Sequence, residues 1–125
     1  MSGVMEAHPR LRVLLAHGGG ATLSLRGRLR HAHGFQPQAK ARLREPPEDS
    51  LRRFYYDTVT HDPTVLRDLV DFAGADHVLL GSDYPFDMGV ERPAEIVRAL
   101  GLPVADEEKI LGSNFIRLQQ GWERV

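Results

Sequence analysis

The sequence contains no cysteine, which excludes disulfide cross-links and thiolate metal sites. No apolar run approaches the length of a membrane span, and the N-terminus lacks the charged-then-apolar pattern of a secretory signal, so the expected location is the cytoplasm. An excess of charge of one sign is also missing. Lys and Arg number 16 against 17 Asp and Glu, a balance that gives no support to a nucleic-acid or membrane-surface partner.

What is present suits a compact soluble fold. The chain has 125 residues, 42% hydrophobic and 26% charged, enough for one domain with a modest core. The arginines crowd between Arg26 and Arg53 while carboxylates gather towards the C-terminus. A local basic patch results, read as a solvated or substrate-facing surface.

Three short apolar runs predict buried strands: LRVLLA at 11–16, FYYDTV at 54–59 and HVLL at 77–80. Each is rich in branched or aromatic residues and ends in polar residues or glycine. Helical patterns lie between and after them. Asp62-Pro63 offers an N-cap and a proline for the first turn, Val65, Leu66, Leu69, Val70 and Phe72 recur at helical spacing, and Gly74 closes the segment. A short helix opens at Arg92-Pro93, with Ile96, Val97 and Leu100 apolar and Gly101 at its end. A last helix is expected from Asp106, its carboxylate as the cap, with Ile110, Leu111, Phe115 and Leu118 on the buried face and Gly112 marking a bend. Residues 2–8 read as the end of a helix. The stretch 31–48, with Gly34, Pro37, Pro46 and Pro47 among basic residues, reads as a long excursion with some helix.

Strands alternating with helices argue for a parallel sheet joined by right-handed crossovers. An eight-unit barrel needs about 250 residues, and three strands in half that length predict the back part of a larger domain.

In parallel α/β architectures the site lies at the carboxyl ends of the strands. His17 comes after VLLA, Asp83 after VLLGS, and Asp57 stands inside the middle run. Two readings of these residues stay open. His17 and its glycines are either a functional group with cleared space or a flexible turn or anion cradle, and no Gly-Lys-Ser/Thr comes next to make a phosphate loop. Asp83 in GSDYPF is either functional or the pivot of a turn that Pro85 stiffens.

The motifs LRVLLAHGGG at 11–20, GR at Gly27-Arg28, VTHDP at 59–63, VLLGSDYPF at 78–86 and KILGSNFIRL at 109–118 occur together in one known group. The sequence resembles the amidohydrolase-related superfamily, C-terminal part, and within it the aminocarboxymuconate-semialdehyde decarboxylase family. The resemblance covers nearly all of 1–125 as a partial amidohydrolase-related domain. It implies an α/β fold made of about three β/α units of a metal-dependent (β/α)8 TIM barrel. It also implies that Asp83 binds the catalytic divalent metal, zinc in most of the family, that His17 is the catalytic histidine beside metal-bound water, and that Arg28 binds a substrate carboxylate and reaches the neighbouring subunit of a homodimer.

The implied activity is metal-dependent decarboxylation, a carbon–carbon lyase reaction on a small carboxylate-bearing substrate. A divalent ion makes hydroxide available near neutral pH and imidazole moves protons in the same range. Two alternatives are hydrolysis of a lactone or amide on the same scaffold, and a non-catalytic fragment that folds only by covering its open strand edges.

The family's metal site also uses a His-x-His pair from the first strand and a histidine from a middle strand, which have no counterpart in this chain. His31-Ala-His33 stands after SLRGRLR, not a strand, and reads as a solvated or substrate-side pair rather than a metal pair. His61 reads as the approach to a helix cap. The expectation is that the chain is part of a longer enzyme, with Met1 an internal start, a truncated gene or a split as its origin.

Overall fold

The computed structural model describes residues 3–120. Its centre is a three-stranded parallel sheet in the order β1 (Leu14–Leu15), β2 (Tyr55–Asp57), β3 (Val78–Leu79). Leu15 pairs with Tyr56, Tyr56 with Val78, and Asp57 with Leu79. The strands fall where the apolar runs predict them and are shorter, because the chain leaves the ladder early at both ends. Leu80 N–H, for example, donates to the carbonyl of Ile110 at 3.0 Å rather than to a strand.

The longest well-capped helix, α5 (Pro63–Ala73), forms as the sequence dictates. One Asp62 carboxylate oxygen accepts the N–H groups of Thr64 at 2.7 Å and Val65 at 3.3 Å, Pro63 occupies the first turn, and Gly74 ends the helix at φ 83°. Leu66, Leu69, Val70 and Ala73 are its buried face, a spacing that lines one side of a helix. They pack on Tyr56 and Val78 from the sheet and on Val97, Leu100 and Ile110 from the C-terminal helices. Val65, expected on this face, is exposed.

The segment 31–48 departs from expectation. Where a long excursion with some helix was expected, most of it is helical: α2 runs from Thr22 to Phe35, α3 spans Pro37–Arg42 and α4 spans Pro47–Arg52. Pro37 and Pro47 stand at first-turn positions, where the missing N–H costs nothing. The prolines therefore start helices here. A short turn, α1 (Val4–Ala7), precedes the first strand.

After β3 come α6 (Pro93–Arg98), α7 (Val104–Glu108), a π-helical turn at Lys109–Ser113 and α8 (Asn114–Gln120). Asp106 is not the cap: α7 begins after Pro103, and the Asp106 carboxylate pairs with Lys109 at 2.9 Å. The bend expected at Gly112 is the π turn. Its extra residue rotates the face of α8 relative to a continuous α-helix, so Asn114 is buried and Phe115, expected in the core, is exposed.

Candidate active site

A non-glycine residue with left-handed backbone comes shortly after each of the three strands. His17 after β1 has φ 56°, His61 after β2 has φ 55° and Asp83 after β3 has φ 62°. Each such residue costs on the order of 1–3 kcal/mol, and strain of this kind collects at functional sites. Histidine and aspartate are among the side chains that tolerate the conformation best.

His17 and Asp83, 66 residues apart in sequence, meet above the sheet, His17 Nε2 lying 3.4 Å from Asp83 Oδ1. The imidazole is 64% exposed and the carboxylate 20%, so the histidine is open to an incoming molecule while the carboxylate is set behind it.

The three glycines after His17 do different work. A β-carbon on Gly18 would stand 2.7 Å from Thr60 Cγ2, and one on Gly19 would stand 2.7 Å from the Tyr56 ring, whereas one on Gly20 would meet nothing within 4 Å. The first two glycines therefore let the loop lie against the end of β2. The space that the glycines were expected to clear beside His17 is, in the first instance, room for the backbone to approach other protein atoms.

Asp57 is the site residue that the motifs did not single out. Its Oδ2 accepts the His17 N–H at 2.9 Å, and its Oδ1 accepts the N–H groups of Gly18 at 2.8 Å and Val59 at 3.0 Å. The signal available in sequence was a lone carboxylate in an otherwise apolar strand.

Arg28 lies on the exposed side of α2, and among the described residues no hydrogen bond or ion pair joins it to His17 or Asp83. His31 and His33 are also on α2. His31 packs on the Phe35 ring, with centroids 4.5 Å apart, and the His33 ring bonds the Leu43 carbonyl at 2.7 Å. Residues two apart on a helix do not face each other, and these two do not form a metal pair.

Among the described residues no three metal-ligating side chains come together. A catalytic zinc takes three protein ligands. Asp83 is one carboxylate of the kind such a site takes and does not complete it.

The arginine-rich patch borders a groove of about 550 Å³ between α2, α4 and α5. Arg26 and Arg52 flank the Phe72 ring at 5.6 and 4.9 Å from its centroid, and Glu48 and Asp68 share the lining. Neither His17 nor Asp83 belongs to it.

A compact parallel α/β unit with a histidine and an aspartate converging at its strand ends defines the class. The chain belongs to the amidohydrolase family, matching it over residues 1–118. It is 32% identical over 116 residues to a 2-amino-3-carboxymuconate-6-semialdehyde decarboxylase of Dictyostelium discoideum, covering 91% of this chain and 32% of that protein. The corresponding protein of Caenorhabditis elegans is 30% identical over 120 residues, 94% of this chain and 30% of its own length. Among solved structures, 5-carboxyvanillate decarboxylase from Sphingomonas paucimobilis superposes with a TM-score of 0.78 at 27% identity, covering 93% of this chain and 36% of that one. The chain thus spans about a third of the length of these relatives.

Proposed function

We propose that this chain supplies the proton-carrying group and one metal ligand of a decarboxylase acting on a small carboxylic acid of the aminocarboxymuconate-semialdehyde type. The observation that carries the reading is the 3.4 Å pairing of His17 Nε2 with Asp83 Oδ1 at the ends of parallel strands. The decarboxylases among the relatives supply the reaction type. On this reading residues 1–125 are a partial domain, about three units of a (β/α)8 barrel, in a cytoplasmic homodimer.

Decarboxylation replaces a carbon–carboxylate bond with a carbon–hydrogen bond. One proton is added at the carbon that bears the carboxylate, the electrons of the breaking bond restore the substrate's double bond, and carbon dioxide leaves. His17 delivers that proton from Nε2 and recovers one from water, a role imidazole fills near neutral pH. Its exposure leaves room for the acceptor carbon. Arg28 holds a substrate carboxylate with paired N–H groups, from the neighbouring subunit, in keeping with its position away from His17 on the outside of α2.

Asp83 is this chain's ligand for a divalent ion, zinc by resemblance to the family, with the other ligands supplied from outside the described residues. Such an ion offers positive charge to the substrate's oxygens and acidifies bound water.

The test is to purify the 125-residue chain, determine zinc per chain and measure carbon dioxide release from a carboxymuconate semialdehyde and from a hydroxybenzoate, with lactone hydrolysis in parallel. Release of carbon dioxide that Asp83→Ala abolishes supports the reading. Lactone hydrolysis without decarboxylation assigns the hydrolase chemistry, and a chain with neither metal nor turnover is a fragment that needs a partner.

A further inference from the structure

We propose that Asp57 is a positioning residue, whose carboxylate holds the His17 backbone so that the imidazole stands beside Asp83. The inference rests on the reading of His17 as the proton-carrying group.

Asp57 is the last residue of β2, the middle strand, and so lies between the loops that leave β1 and β3. A carboxylate is an acceptor only, with room for several donors on its two oxygens. Three backbone N–H groups converge on it, those of His17, Gly18 and Val59, at 2.8–3.0 Å. Bonds from N–H to an ionised carboxylate are stronger than those between neutral groups. Two of the three pin the residue whose ring does the work and the glycine after it, and His17 holds a φ of 56° that its β-carbon disfavours. Because its oxygens are engaged by the backbone, Asp57 acts through His17.

The neighbouring residue does the same for the other loop. Thr58 Oγ1 accepts the Gly81 N–H at 3.0 Å and donates to the Gly81 carbonyl at 3.2 Å, two residues before Asp83. Consecutive residues at the end of one strand therefore fix the loops that bring His17 and Asp83 to 3.4 Å. Asparagine at position 57 has the same shape but presents an NH2 group to one of these donors, which removes a bond while leaving the packing alone.

The experiment uses the isotopically labelled 125-residue chain. In the parent, NMR scalar couplings across the hydrogen bonds are expected from the His17 and Gly18 amide nitrogens to the Asp57 carboxylate carbon. In Asp57→Asn, amide exchange at His17 is expected to accelerate at least tenfold and the His17 ring resonances to shift, while those of His77, packed on Tyr55 at 4.9 Å, stay in place. Where the parent decarboxylates, kcat falls at least tenfold with KM within twofold.

Absence of the couplings in the parent overturns the proposal, whether or not the variant folds. So does an Asp57→Asn chain with unchanged His17 exchange and ring resonances, or an active one with unchanged kcat. A parent chain without turnover is the fragment that needs a partner, and the couplings and exchange then decide the role of Asp57 by themselves.

Discussion

Asn114 Nδ2 donates to the carbonyl of Val78 at 2.7 Å, joining the C-terminal helix to the strand whose following loop carries Asp83. The same nitrogen donates to the Ala75 carbonyl at 2.7 Å, and Arg117 donates to Asn114 Oδ1 at 2.8 Å. Asn114 is 1% exposed, so its removal takes a buried donor from the Val78 carbonyl and from the Ala75 carbonyl, which keeps the Val78 N–H. Asn114→Ala is expected to lower stability by about 1–3 kcal/mol, read as a shift in the urea midpoint. A change below about 0.5 kcal/mol, the range of an ordinary surface substitution, would show that the bridge is dispensable.

Gly81 tests how tightly the Asp83 loop is seated. A β-carbon there would stand 3.0 Å from Asp57 Cβ and 3.1 Å from Val59 Cγ2, closer than ordinary packing. Gly81→Ala is expected to cost about 1–3 kcal/mol, the usual range for overpacking, and to lower turnover by moving the loop. Unchanged urea denaturation would mean that the loop shifts freely, contrary to its double bond with Thr58.

Tyr56 sets an alkaline limit. Burial pushes its phenol up from 10.0 to about 12, and its hydroxyl donates to the Leu51 carbonyl at 2.7 Å. Below pH 10 folded and unfolded chains both keep the proton. Between pH 10 and 12 the unfolded chain gives it up while the folded chain retains it, so stability falls as pH rises through that window. Tyr56→Phe is expected to cost about 1 kcal/mol at pH 8 and to flatten the decline between pH 10 and 12, both measured by denaturant titration. An equally steep decline in the variant would assign the alkaline limit to other groups.

His17→Asn separates chemistry from folding. With its ring largely in solvent, the substitution is expected to leave stability within about 0.5 kcal/mol. Loss of a group that transfers a proton typically costs about 10²–10⁴ in rate, and a loss of that order in carbon dioxide release is expected. A variant that releases carbon dioxide at the parent rate would remove His17 from the proton-carrying role.

Much of the architecture was legible in the residues. Asp62-Pro63 and Gly74 mark the ends of α5 because a cap, a first-turn proline and a glycine act locally, within a few bonds. The three apolar runs identify the strands for a similar reason, since short runs of branched and aromatic residues bounded by polar residues or glycine favour extended backbone. His17 and Asp83 were visible as ionisable groups set at or just beyond the ends of such runs. Pro37 and Pro47 misled because a proline at the first turn and a proline in a loop look alike until the helix beyond them is known. Phe115 misled because one extra residue in the π turn rotates the whole face after it.

The sequence by itself determined the three strands, the capped helix α5, the parallel α/β class and the two ionisable residues beyond the strand ends, because each depends on local preference or on the period of burial. Only the tertiary structure decided that His17 and Asp83 meet, that Gly18 and Gly19 are needed against Thr60 and the Tyr56 ring, and that Asp57 gathers three backbone N–H groups. The physical reason is that these contacts join residues about 40 and 66 positions apart. No local preference encodes them; they arise from the order and register of the sheet.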